Sequence, residues 1–247
     1  MSTPLAAAAL LVLLPVAFNV AFALLARAFD YPDVLRRPTD EILRRFDAGG
    51  AELRTLWWAF MLTALAMLPL AALVGVVLAD AAPAIAVLSV VVGSTAALAQ
   101  ALGLARWPFI VPELARRWVA AGDRTAADGG PADGGPAAAE RASIEAVFVA
   151  LHRYLGVGVG EHLGYLLTGT WTLLIGVGFA VAGPVPAALA LAGLPIGLAL
   201  LVGALEFVGP NEPRGWSVAE RLVPLAYVAW SVWLIALGVA LAVRSPI

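Results

Sequence analysis

The chain has 247 residues, of which 62% are hydrophobic and only 13% charged, roughly half the ~25% charged share of a soluble domain. It has no cysteine, which excludes disulfides, thiolate metal sites and cysteine nucleophiles; it has no lysine either, which excludes a P-loop lysine, a Schiff base and a lysine general base. The net charge of −2 gives no footprint for a nucleic-acid partner.

The charges are crowded into a few segments and absent from long apolar runs, the pattern of a polytopic membrane protein. A spanning helix needs roughly 20 mostly apolar residues, and six such runs are present. The expected fold is therefore an all-α transmembrane bundle forming a single domain, with spans over about 4–27, 54–79, 83–105, 160–182, 184–207 and 217–243. The first run has no positive residue before it and is too long for a signal-peptide core, so it reads as a retained span.

After span 1 comes RRPTDEILRRFDAGG. Thr39 is placed to cap a short helix. Asp40–Arg44 and Glu41–Arg45 are acid-first i,i+4 pairs, Gly49-Gly50 is the stop, and Ile42, Leu43 and Phe46 form one apolar stripe. This predicts an amphipathic helix lying on the membrane surface as a collar. Spans 2 and 3 meet in a tight turn at Ala79–Ala82.

After span 3, RWPFIVPELARRW continues the helix past Arg106, with Pro108 and Pro112 bending it. ADGGPADGGPA follows, two copies of a five-residue unit inside a stretch (120–137) read as a flexible linker. The helix then resumes with Ile144, Val147, Phe148, Leu151 and Leu155 on one stripe. Spans 4 and 5 meet at Gly183-Pro184. Loop lengths give no sign of a three-plus-three inverted repeat.

The fifteen arginines fix the expected orientation. The segments after spans 1, 3 and 5, with their flanking helix ends, hold six, six and two, and the C-terminus holds one. The positive-inside rule puts these segments in the cytoplasm and both termini outside the plasma membrane.

HRYLGVGVGEHLGY (152–165) contains both histidines. GVGVG lacks the preceding strand and following lysine of a phosphate loop. On one α-helix the histidines would stand about 15 Å apart along the axis and roughly 80° apart around it, too far to grip one ion. Gly156, Gly160 and Gly164 instead recur every four residues, a small-residue face suited to close helix packing. Gly158 lies off that face, a position for a flexible join between a surface helix and span 4.

Several polar residues share one depth at the cytoplasmic end: Gln100 and Arg106 on span 3, Glu161, His162 and Tyr165 opening span 4, and Glu206 ending span 5. Intramembrane charges face the interior or each other, so Glu161 or Glu206 is a candidate partner for Arg106. The cluster reads equally as a helix lock, a head-group site or a proton relay. Trp57, Trp58, Trp107, Trp118 and Trp216 fall where interfacial belts form. Trp171, Trp230 and Trp233 lie at mid-span with Tyr227 close by; they either fill space beside Gly169, Gly176, Gly178 and Gly238 or line a cavity for an apolar ligand. Pro69 and Pro195 bend spans 2 and 5 and so widen such a cavity.

FDYPDVLRRPTDEILRRFDAGG, ARWPFIVPELAR, HRYLGVGVGEHLGY and YVAWSVWLIALGVAL resemble segments of an uncharacterised bacterial family of small polytopic membrane proteins, a domain of unknown function. The resemblance covers most of the chain outside the ADGGP linker. It implies six-helix membrane topology and transfers no catalytic residue. The leading expectation is non-enzymatic: binding or sensing of an amphiphilic molecule or lipid, its head group held by Arg106, Glu161, His162, Tyr165, Glu206 and Gln100, its tail by Trp171, Tyr227, Trp230 and Trp233. Alternatives are a proton-coupled carrier using Glu161, His162 and Glu206, a membrane enzyme with Glu161 and His162 as acid and base, and a structural subunit of a homo-oligomer or larger complex. No motif requires a metal or other cofactor.

Overall fold

A computed structural model describes residues 2–127, 135–212 and 214–244. Among these there is no strand. The helices, in order, are α1 (Thr3–Phe29), α2 (Thr39–Ala48), α3 (Gly50–Leu65), α4 (Met67–Leu78), α5 (Pro83–Phe109), α6 (Val111–Ala127), α7 (Gly135–Leu151), a π-helical segment (His152–Leu163), α8 (Gly164–Ala182), α9 (Ala187–Leu191), α10 (Gly193–Gly203) and α11 (Ser217–Arg244). Among the described residues five continuous helical stretches are long and apolar enough to cross a membrane: α1, α3–α4, α5 with α6, α7 through α8, and α11. The sixth apolar stretch, Ala187–Gly203, spans about 25 Å, slightly less than the ~30 Å hydrocarbon core. Six apolar crossings are thus approximately what the sequence leads one to expect.

Proline sets the breaks in two of them. A proline in a helix removes one N–H and crowds the carbonyl four residues back. The helix is interrupted at Ala66, three residues before Pro69, and at Ala192, three residues before Pro195. The six apolar stretches close into a ring: α1 packs on α11, α11 on α10, α10 on α8, α8 on α5, and α5 on α3 and α4, which return to α1. Glycine brings several pairs close. A Cβ at Gly238 of α11 would stand 2.8 Å from the Ala8 carbonyl oxygen of α1, and one at Gly169 of α8 would stand 2.7 Å from the Gly197 carbonyl oxygen of α10. The ring interior is filled by Leu11, Leu70, Val74, Trp171, Ile175, Phe179, Leu234 and Leu237 among others.

A second core lies at one end of the ring. Phe29 and Trp57 meet Trp107, Phe46 of α2 and Phe148 of α7; the Trp57 and Trp107 rings stack at 4.5 Å. The predicted stripe of α2 is present, with Ile42, Leu43 and Phe46 all buried. Its place differs from expectation, because the stripe is covered by protein rather than by a membrane surface. α2 packs on α6, and the Trp118 indole N–H donates to Asp40 at 2.8 Å. Consequently Trp57, Trp107 and Trp118 are buried core residues and not members of an interfacial belt, whereas Trp58 is 47% exposed. The ion pairs Asp40–Arg44 (2.7 Å) and Glu41–Arg45 (3.0 Å) both form. Thr39 does not cap α2: it is the first helical residue, after Pro38, and no side chain caps that end. Helix occupies 120–127 and 135–137 at the two ends of the ADGGP linker; the repeat itself, over 128–134, lies outside the described residues.

Candidate functional site

The site is built where α5 meets the π-helical segment. A π-helix has wider turns than an α-helix, and the Gly164 N–H accordingly reaches back to the Val159 carbonyl. The chain runs through GVGVG as continuous helix, so the join expected at Gly158 is a change of helix type and not a break. The four-residue glycine face packs on α5 as its spacing predicts. A Cβ on Gly103 would stand 2.5 Å from the Gly160 Cα, and a Cβ on Gly164 would stand 2.9 Å from Gln100 Cγ. A Cβ on Gly156 would stand 2.7 Å from Arg106 Nη2. The glycine face thus leaves the space that the Arg106 guanidinium occupies.

Arg106 is 6% exposed. It donates to the Gly103 carbonyl and its guanidinium lies 5.3 Å from the Trp107 ring centre. Its Nε is buried and has no hydrogen-bond partner among the described residues. The expected ion pair with Glu161 or Glu206 does not form. Glu206 is 3.3 Å from Arg36 instead, and Arg36 also bonds Glu220 of α11. Burial raises the Glu206 carboxyl above its ordinary range, opposed by the Arg36 charge.

Arg106 faces a cavity of ≈ 230 Å³ inside the ring. Its lining is chemically mixed. Arg106, Gln100, Glu161, Tyr165 and Tyr31 contribute polar groups, while Leu14, Phe18, Phe22, Phe60, Met67 and Trp230 contribute apolar surface. Gln100 is fixed by a 2.8 Å bond to Thr168. Burial drives the Tyr31 phenol well above its usual range and the Glu161 charge adds to this, so Tyr31 is a neutral hydrogen-bond donor or acceptor. Asn19, Pro224 and Val228 also line the cavity and are exposed on the outside of the bundle. The cavity therefore reaches the surface along α1 and α11, where the Asn19 amide donates across the seam to Ser231 Oγ at 2.9 Å, and also at the exposed Pro32 after α1. Asn19 is ten residues from the end of α1, about 15 Å along the helix, so the opening there lies well inside the apolar zone.

A second cavity, ≈ 220 Å³, is lined by Glu161, His162, Tyr165, Glu206 and Phe207 with neighbouring small residues. Glu161 and Tyr165 stand on both cavities. The His162 Nδ1–H donates to the Ala204 carbonyl at 2.6 Å, which orients the ring.

Of the ten residues singled out in the sequence, Gln100, Arg106, Glu161, Tyr165, Tyr227 and Trp230 meet at the first cavity, and His162 and Glu206 at the second. Trp171 and Trp233 line neither and fill space in the ring. Trp233 lies on Gly193 and its Nε1–H donates to the Leu189 carbonyl at 2.8 Å, while Trp171 lies on Gly93. These are different glycines from those expected beneath the tryptophans; Gly169, Gly176 and Gly238 face neighbouring backbone instead. Sequence reasoning missed Phe18, Phe22, Tyr31 and Phe60, which form one group of ring contacts with Tyr227 on the cavity wall. Their only signal is the Phe18–Phe22 spacing of four on α1. Among the described residues no group of three or more His, Asp or Glu could hold a metal ion.

A ring of apolar helices enclosing a polar pocket defines a multi-pass integral membrane protein. The chain belongs to a family known by its domain of unknown function, DUF4386, whose model matches residues 6–238. No curated protein matches the chain, and no solved structure does.

Proposed function

We propose that this protein binds or senses an amphiphilic small molecule or lipid within its helix ring. The observation that carries the reading is the mixed lining of the ≈ 230 Å³ cavity, where a buried arginine and other polar groups share one space with aromatic and aliphatic side chains. A buried guanidinium with an unpartnered Nε is costly unless a ligand completes it. The volume is below the ~300–1,000 Å³ of most small-molecule pockets. It suits a head group and the first part of a chain, with the remainder leaving along α1 and α11 toward the bilayer. Membrane lipids are then the natural partners. The arginine-bearing ends of the helices lie in the cytoplasm on this reading, and both termini lie outside.

Mass spectrometry of the detergent-purified full chain tests the proposal. Wild type is expected to release an amphiphile in near-stoichiometric amount, and Arg106→Gln to release far less. A wild-type protein that carries nothing, and whose unfolding temperature no added amphiphile shifts, would end this reading.

A second reading, a proton-coupled carrier, is favoured by the grouping of Glu161, His162 and Glu206 on one cavity that shares Glu161 with the first. Its test is proton-linked flux in liposomes that Glu206→Gln abolishes.

A further inference from the structure

Resting on the amphiphile-binding reading, we infer that the head group is zwitterionic, its anionic part held by Arg106 and its cationic part by Glu161. Arg106 and Glu161 face one cavity. Among the described residues, Arg106 forms no ion pair, and the Glu161 carboxylate forms neither an ion pair nor a hydrogen bond, although the Glu161 backbone carbonyl accepts from the Gly164 N–H. Arg106 is buried and Glu161 is partly buried, and opposite charges sharing such a space normally close on each other, because an unpaired charge withdrawn from water is expensive. Here Arg106 is held back by its bond to the Gly103 carbonyl and by the Trp107 face. Glu161 is carried on the π-helical segment that packs on α5, and it lines both this cavity and the second one.

The arrangement discriminates among ligands. A purely anionic head group completes Arg106 but brings a like charge toward Glu161. A purely cationic one completes Glu161 and meets Arg106. A neutral one leaves both charges incomplete. A head group with an anion and a cation a few bonds apart satisfies both at once. The surrounding rings favour the cation further: Tyr31, Tyr165 and Tyr227 line the same space, Tyr165 one turn after Glu161, and aromatic faces attract ammonium groups.

The test uses the purified full chain in a non-ionic detergent, read by native mass spectrometry. The probes are dihexanoylphosphatidylcholine, dihexanoylphosphatidylglycerol and the chain-free glycerophosphocholine. Wild type is expected to bind the zwitterionic lipid about tenfold more tightly than the anionic one. Glu161→Gln, which keeps size and hydrogen-bonding reach, is expected to bring that ratio to about one or below. Glycerophosphocholine is expected to bind far more weakly than the lipid with the same head group. Equal or tighter binding of the anionic lipid by wild type overturns the zwitterion inference alone. Binding of glycerophosphocholine as tight as that of its lipid overturns the amphiphile reading and leaves the head-group assignment standing. Binding of no probe overturns both. The wild-type comparison requires no variant, so it stands even where Glu161→Gln fails to fold.

Discussion

Gly103 and Gly160 meet backbone to backbone: a Cβ on the first would stand 2.5 Å from the Cα of the second, and the reverse distance is 3.1 Å. Neither neighbour is a flexible side-chain end, so neither can yield without moving a helix. Gly103→Ala is therefore expected to destabilise the protein by about 1–3 kcal/mol, outweighing the ~1 kcal/mol that alanine gains over glycine in a helix. Gly160→Ala is expected to cost less than Gly103→Ala. Thermal unfolding in detergent ranks the two, and the opposite order would contradict this packing.

Gly156 has a different neighbour. A Cβ there meets the end of the long Arg106 side chain rather than backbone. Gly156→Ala is expected to lower the unfolding temperature less than Gly103→Ala does and to weaken amphiphile binding, because it displaces the guanidinium. An unfolding temperature lowered as far as that of Gly103→Ala, with binding intact, would refute the claim that this glycine makes room for a functional group.

The buried tryptophans separate a hydrogen bond from bulk. Trp233 donates to the Leu189 carbonyl at 2.8 Å, whereas the Trp171 Nε1 has no partner among the described residues. Both lose similar volume on replacement by phenylalanine, but only one loses a bond. Trp233→Phe is expected to cost about 0.5–1.5 kcal/mol more than Trp171→Phe, as measured by denaturant unfolding.

Acid should loosen the collar formed by α2, α6 and α7. Burial pushes the Asp40 carboxyl upward, yet the Trp118 indole N–H and Arg44 outweigh this and hold it below its ordinary range. The Glu41 carboxyl is likewise lowered, chiefly by its bond to Arg37. A carboxylate with a depressed native pKa contributes stability that is complete above its unfolded value, near pH ~4, and is lost as pH falls through the native value. Trp118 fluorescence should therefore show the collar opening only below pH ~4. Asp40→Asn, which cannot ionise, should flatten that acid limb, and parallel curves for the two proteins would rule out this carboxylate as a contributor.

What the sequence discloses follows from what periodicity can carry. The apolar runs disclose the crossings, the stripe of α2 discloses Ile42, Leu43 and Phe46 as buried, and the four-residue glycine spacing discloses the face that meets α5. Periodicity identifies a face but not what covers it. Trp57, Trp107 and Trp118 have the positions of belt residues and become core residues only because α2, α6 and α7 fold over them. Phe18, Phe22 and Phe60 are unremarkable in helices apolar on every side; their role comes from the splaying of helices distant in sequence. The π-helical turns of 152–163, which carry Glu161, have no compositional mark beyond glycine.

The collar core bears on the order in which the protein is made. Every residue of that cluster lies between Ala21 and Phe148, whereas the ring core also needs Trp171, Trp230 and Leu237. A chain synthesised from its amino end holds all the parts of the collar core once Phe148 is added, before α8, α10 or α11 has been made. The first three-fifths or so of the polypeptide can then assemble as a folded platform at the translocon, against which the later helices are laid down, and the pocket closes only when the last helix arrives beside the first.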